Sequence, residues 1–210
     1  MPIFVVPSKG VVKSIRSPNE RIETHQIIKQ LGLEFLQVMH SEDGPGTDRI
    51  WTEDPQQSEI MIVDKYTFNL DDVNVRPAIV ANRGPQRWGN SSGISQLQEM
   101  DPRTAKRIHT DLINGSVIFN CFAKDGIEAE TIAGNVFDWF RVFRIPLRKS
   151  GFFKIDSAMI GEEALVKSDS TPDLSVVPVQ VNASIQVRWS IEPRATRLRA
   201  IKALIGQVTL

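Results

Sequence analysis

The chain holds one cysteine, three histidines and two adjacent acidic pairs, the residue types that chemistry draws on first. Cys121 lies in "NGSVIFNCFA" among apolar neighbours, and reads as a buried structural thiol rather than a nucleophile. A nucleophile needs a base within hydrogen-bond reach, and none is close in sequence. A lone cysteine forms no internal disulfide and fits a reducing compartment. His25, His40 and His109 are scattered, with no pair one helical turn apart to hold a metal. Asp71-Asp72 and Glu162-Glu163 are neighbours in sequence, so on a strand they would face opposite ways; both read as turn markers. Glu128 and Glu130 suit the first turn of a helix, where the macrodipole favours negative charge. "NRGPQRWGNSSG" is glycine-rich but has no P-loop lysine and no helix after it. No catalytic, cofactor-binding or metal-binding set emerges.

Arg83, Arg87 and Trp88 stand apart, at the end of an apolar run that breaks at Gly84-Pro85. Arg and Trp are enriched where protein interfaces are strongest, and they also form stacking platforms for single-stranded nucleic acid. The plain structural reading is an Arg stem packed on a Trp near the base of a loop. Lys plus Arg total 25 and Asp plus Glu total 25, so the whole molecule exerts no cationic pull on nucleic acid. The balance favours contact with protein.

The elements that must position these residues follow from spacing. The 210 residues, 41% hydrophobic, suffice for one domain with a full core. Residues 1–16 read as a basic, extended N-terminal arm, with Pro2 and Pro7 opposing helix. The opening "MPIFVVPSKG" has no basic segment ahead of its apolar residues and is not read as a signal peptide. No run of 18 apolar residues occurs to span a membrane. "SPNE" at Ser17 supplies an N-cap, a proline and a capping glutamate. The helix it opens has Ile27, Ile28, Leu31, Phe35, Val38 and Met39 on one face and ends at "SEDGPG". Strands are expected at 59–68, at 75–84 with Val75, Ile79 and Val80 inward, and at 114–123. Residues 84–108 read as one long loop. Asp125 and Glu128 form a second capping box, opening a helix over about 126–144 that Pro146 stops. Its inward face is Ile132, Ala133, Val136, Phe140 and Phe143. A strand at 152–163 and a polar loop at 167–173 precede the longest alternation, 174–193. There Val177, Val179, Val181, Ala183, Ile185, Val187, Trp189 and Ile191 share a face. The last segment, 194–210, reads as a basic amphipathic tail helix with Leu198, Ile201, Leu204 and Ile205 on one side. The order predicts an α+β fold: an antiparallel or mixed β-sheet with two main helices packed on one face, over 17–193, plus N- and C-terminal arms.

The series "VRPAIVANRGPQRW", "INGSVIFNCFAKDGIEAETIAGNVFDWFRVFR", "FFKIDSAMIGEE" and "VPVQVNASIQVRWSIEP" resembles the tail-terminator and neck (tail-completion) proteins of tailed bacteriophages. The likeness is one of arrangement over about 59–193: an Arg-Pro strand, a loop, a "GS-V" strand, an "EAE" helix with aromatic residues, and closing strands with a Trp near the end. It implies a structural virion protein that forms a ring, usually hexameric, terminating the tail tube and joining it to the head connector. It implies no enzymatic activity and no cofactor. Its partners would be further copies of itself, the tail tube protein and the head–tail connector or adaptor protein. Genome DNA would pass through the bore without specific binding, and no membrane is involved. Assembly would take place in the host cytoplasm, and the mature place would be the virion neck.

The alternatives are a head-completion or adaptor protein one ring higher, or a small ligand- or nucleic-acid-binding domain using the 84–108 loop. Under the ring reading, Arg83, Arg87, Trp88, Leu198, Ile201, Leu204 and Ile205 are expected at subunit contacts. A chain ending at Pro193 should then keep its fold and thermal transition but fail to join tubes to heads. Unfolding or aggregation of that truncated chain would show that the tail covers its own subunit instead.

Overall fold

The longest alternation in the sequence becomes the longest strand. In the computed structural model, which describes residues 24–44, 49–88, 97–101, 106–168 and 171–191, β7 (Thr171–Ile191) pairs antiparallel with β4 (Lys106–Ala123). Their register runs unbroken from Arg107↔Ile191 to Ala123↔Ser175. Val177, Val179, Val181, Ala183, Ile185 and Val187 are all buried, the first three opposite Cys121, Phe119 and Val117 of β4. Directly opposed residues share a face, so two alternating strands make one apolar wall. At about 3.4 Å per residue β4 is on the order of 60 Å long.

The other strands attach to this pair. β1 (Met61–Asp64) runs parallel to β2 (Ala78–Trp88), β2 pairs with β4, and β5 (Phe152–Ile160) pairs with β7. β3 (Leu97–Asp101) joins β4, and β6 (Ala164–Ser168) joins β7. The result is a mixed seven-stranded sheet of order β1-β2-β4-β7-β5. The expected α+β fold is the one observed. The arms at 1–16 and 194–210 lie outside the described residues, and so do Ser17, Leu198, Ile201, Leu204 and Ile205.

Three helices, α1 (Thr24–Met39), α2 (Gly126–Val142) and α3 (Arg144–Ser150), contribute to one core on one face of the sheet. Asp125 caps α2 as expected, its side chain accepting from the Ile127 amide. Phe140 is fully buried, its ring stacked 5.4 Å from Phe119 and edge-on to Phe35 at 5.0 Å. A Cβ at Gly32 would come within 2.7 Å of the Phe119 ring, so this glycine lets α1 approach β4 closely. A smaller cluster on the other face joins Met61, Val73, Ala78, Val80, Phe122 and Leu174.

Several expectations are corrected. Residues 84–108 are not one loop: 84–88 belong to β2, 97–101 form β3 and 106–108 open β4. Gly84-Pro85 does not end the strand but sits in a bulge between Arg83↔Val117 and Gln86↔Gly115. A Cβ at Gly84 would run into the Ser116 hydroxyl, and a bulge tolerates a proline that has no amide to donate. Pro146 does not stop the helical region, because it lies in the first turn of α3, where no helical partner needs its amide. The strand expected at 59–68 stops at Asp64, whose carboxylate caps a one-turn 3₁₀ helix over Lys65–Thr67. Val75 is 86% exposed, because it caps a second 3₁₀ helix, Leu70–Asn74, rather than entering β2. The polar loop at 167–173 is in part strand, with Ser168 of β6 paired to Thr171 of β7. On α1, Leu36 and Lys29 are buried and Val38 turns outward, a rotation of the face that the apolar spacing implied.

Truncating Phe140 to Ala should cost about 3–5 kcal/mol, the range for large buried aromatic residues. Urea unfolding of the purified chain measures this. A midpoint unchanged with unchanged slope would mean that α2 does not pack on the sheet.

Candidate functional site

The bulge decides where the sequence's most conspicuous side chains go. Arg83 opposes Val117 and so shares the helix-covered face. The extra residue reverses the alternation beyond it. Arg87 then opposes Asn114 on the far face, while Trp88 opposes Ile113, which packs against the helix-side core. Arg83, Arg87 and Trp88 are all exposed, Trp88 at 66%. Arg87 and Trp88 therefore project to opposite faces and cannot form one stacking platform. Arg83 and Trp88 share a face but lie five residues apart, roughly 15 Å along a strand. A bulge, a proline and cations are also standard protection for a strand edge against pairing with another chain.

A site that apolar spacing did not reveal lies beside Arg83. Lys29, on the buried face of α1 and only 3% exposed, forms an ion pair with Asp64 at the end of β1. Its ammonium also lies 5.3 Å from the centre of the Tyr66 ring. Asp64 holds the turn that follows it, accepting from the Tyr66 amide at 3.2 Å and, through its carbonyl, from the Thr67 hydroxyl at 3.0 Å. Because β1 ends here, a cleft of about 450 Å³ opens at the β2 edge, lined by Lys29, Asp64, Lys65, Tyr66, Asn82 and Arg83 among others. Asp64 answers the charge of Lys29. Among the described residues neither Lys65 nor Arg83 has an acidic partner. A lysine in an apolar helical pattern was the available signal, legible only once Asp64 is known to face it.

A second cleft, about 710 Å³, lies between the 49–59 segment and the Leu70–Asn74 turn. Arg76 ties its walls together, donating to the carbonyls of Pro55 and Ser58, the latter at 2.9 Å. Arg49 pairs with Glu128 across to α2, so Glu128 serves that contact instead of completing the expected capping box. The Arg-Pro pair of the sequence thus acts as a brace beneath β2.

Cys121 is fully buried, and burial pushes its thiol far above the usual range. Among the described residues no group of three His, Cys, Asp or Glu could hold a metal ion. No family model matches the chain, and no curated protein matches its sequence.

His40 follows α1 and is 2% exposed, edge-on to Trp139 at 4.9 Å. Its Nδ1–H donates to the Arg49 carbonyl at 3.2 Å, which leaves Nε2 buried with no partner among the described residues. Burial lowers its pKa below 6.5, more than the bond to Arg49 raises it. The unfolded chain therefore takes up a proton as pH falls through 6.5 while the folded chain resists it. This stabilising contribution is complete above 6.5 and is lost as pH falls towards the lower, folded value. His40→Gln keeps a donor for the Arg49 carbonyl and does not titrate. Its thermal midpoint should fall less than that of the parent between about pH 7.5 and about pH 5. Equal falls would show that His40 takes no part in the acid response.

Proposed function

We propose that the chain is a structural subunit of a bacteriophage neck, forming a ring that terminates the tail tube and joins it to the head connector. Its partners in this reading are copies of itself, the tail tube protein and a connector or adaptor protein. The ring is hexameric by the resemblance alone. The segments that carry the resemblance fold as one contiguous unit, β2 and β4 joined by α2 to β5 and β7.

The observation that best supports the reading is the chemistry of the sheet face opposite the helices. Along β4 it carries Asn114, Ser116, Ile118 and Asn120, and along β7 Gln180, Asn182, Ser184 and Gln186, with Ser116 and Ser184 buried among them. This run contains no ionisable residue. Asn182 donates to the Ser157 hydroxyl at 2.8 Å, and Ser184 to Asp156 at 2.8 Å, so the amides and hydroxyls are partly engaged with β5. Arg87 stands at the β2 margin, and at the β5 margin Lys154, opposite Ser184, is neutralised by Asp156. Affinity for duplex DNA comes mainly from cations that displace counterions from phosphates. A wall of amides and hydroxyls lets a duplex slide past without holding it, as the bore of a neck ring must.

Electron microscopy of the full-length chain mixed with purified tail tubes tests this. Rings of rotational symmetry seated on one end of the tubes are expected. Tubes left undecorated at saturating protein would overturn the neck assignment.

A further inference from the structure

The two edges of the sheet carry complementary groups near the two ends of one row of residues. Asp64 pairs with Ala81, Ala81 with Phe119, Phe119 with Val179, and Val179 with Ile160. This row crosses the sheet at one level, from the cleft at the β1–β2 edge to the end of β5. Four strand spacings of about 4.8 Å put roughly 19 Å between its ends. At the first end lie Lys65 and Arg83, cations with no acidic partner among the described residues, beside Tyr66, 87% exposed. At the other, Gly161 donates to the Pro178 carbonyl at 2.7 Å and fixes the chain just past β5. Glu162 follows, exposed and unpaired among the described residues, next to the exposed apolar side chains of Met159 and Ile160.

We infer that the cleft at the β1–β2 edge takes the Glu162 carboxylate of a second copy of this chain. The inference rests on the ring reading above and names its subunit contact. One copy supplies two cations and an aromatic ring, and the other supplies a carboxylate and two aliphatic side chains. Contacts between different patches on successive copies are heterologous, and they close into a ring only if each step adds no axial rise. Arg83, paired with Val117, lies two residues to one side of the row and Glu162, past Ile160, lies to the other, about 13 Å apart along the strands, so a step without rise inclines the strands to the ring axis. Strand addition is an unsuitable alternative along the open stretches of β2 and β5. β2 is bulged at Gly84-Pro85, and β5 has two register shifts and the Lys154–Asp156 pair, 2.8 Å apart. The contact is therefore made by side chains.

Cross-linking between marked copies tests the contact directly. One preparation carries Thr67→Cys and the other Glu163→Cys, exposed positions beside the contact. Cys121, the chain's only natural cysteine, is buried and does not compete for a maleimide. Treated with a short bis-maleimide, the mixture should give a heterodimer well above a control that pairs Thr67→Cys with Val142→Cys, exposed at the far end of α2. Adding Arg83→Glu to the first chain should lower the yield about tenfold, and adding Glu162→Arg to the second should restore it. A yield equal to the control would overturn the inference. So would a yield indifferent to Arg83→Glu, or one that the paired reversal fails to restore. Specific cross-linking by a chain that leaves tail tubes undecorated would keep the edge contact and remove only the neck placement.

Discussion

The uninterrupted pairing of β4 with β7 is the constraint on which the rest of the structure depends. It sets the apolar wall from Val177 to Val187 against Val117, Phe119 and Cys121, and so fixes which face can accept helices. Phe119 is the point of attachment: α2 meets it through Phe140, and α1 meets it at Gly32. Strict alternation cannot slip by one residue without turning this whole wall to the other side. Pro178 falls within the ladder without disturbing it. Its carbonyl faces the 161–163 crossing, so its missing amide donor points where β5 has ended and β6 has not yet begun.

What varies around that ladder is how each strand ends. β1 stops at Asp64 because the carboxylate turns the chain and also neutralises a buried lysine from α1. A buried ion pair of this kind contributes little net stability when intact and costs several kcal/mol when one partner is removed. Its effect is positional: it locks α1 to the sheet edge and leaves the neighbouring cations, Lys65 and Arg83, facing outward. The bulge at Gly84-Pro85 acts on the same edge. It sends Arg87 towards the amide-lined face and Trp88 towards the helices. A cluster that looks continuous in sequence is thereby divided between two surfaces.

The sequence was most legible where packing alone chooses residues. The β7 alternation, the β4 core strand, the Asp125 cap and the inward face of α2 all follow from period and capping, because burial leaves few other solutions. It was least legible where a polar interaction replaces an apolar one. Lys29 breaks the pattern of α1, and only Asp64, thirty-five residues away, explains its burial. Gly84 and Pro85 are turn formers in isolation, and nothing local shows that Ser116 will press against them from the adjacent strand. β3 and β6 are only five residues each, too short to show a period, and they form because a long neighbour offers an edge. The cleft was half visible: Arg83 was singled out, but Lys65, Tyr66 and Asp64 came from a segment read only as strand.

The functional account joins these features. A sheet with helices on one side and an uncharged polar run on the other, with a cationic cleft and an exposed carboxylate at opposite edges, suits a subunit that repeats around an axis. The central claim is that the two edges meet when the protein assembles. Hydrogen–deuterium exchange of the full-length chain, free and seated on tail tubes, measures this most directly. Segments 61–67 and 82–84 should gain protection together with segment 159–163, while the outer turns of α2 stay unchanged. Protection confined to one edge, or centred on the helices, would contradict the account.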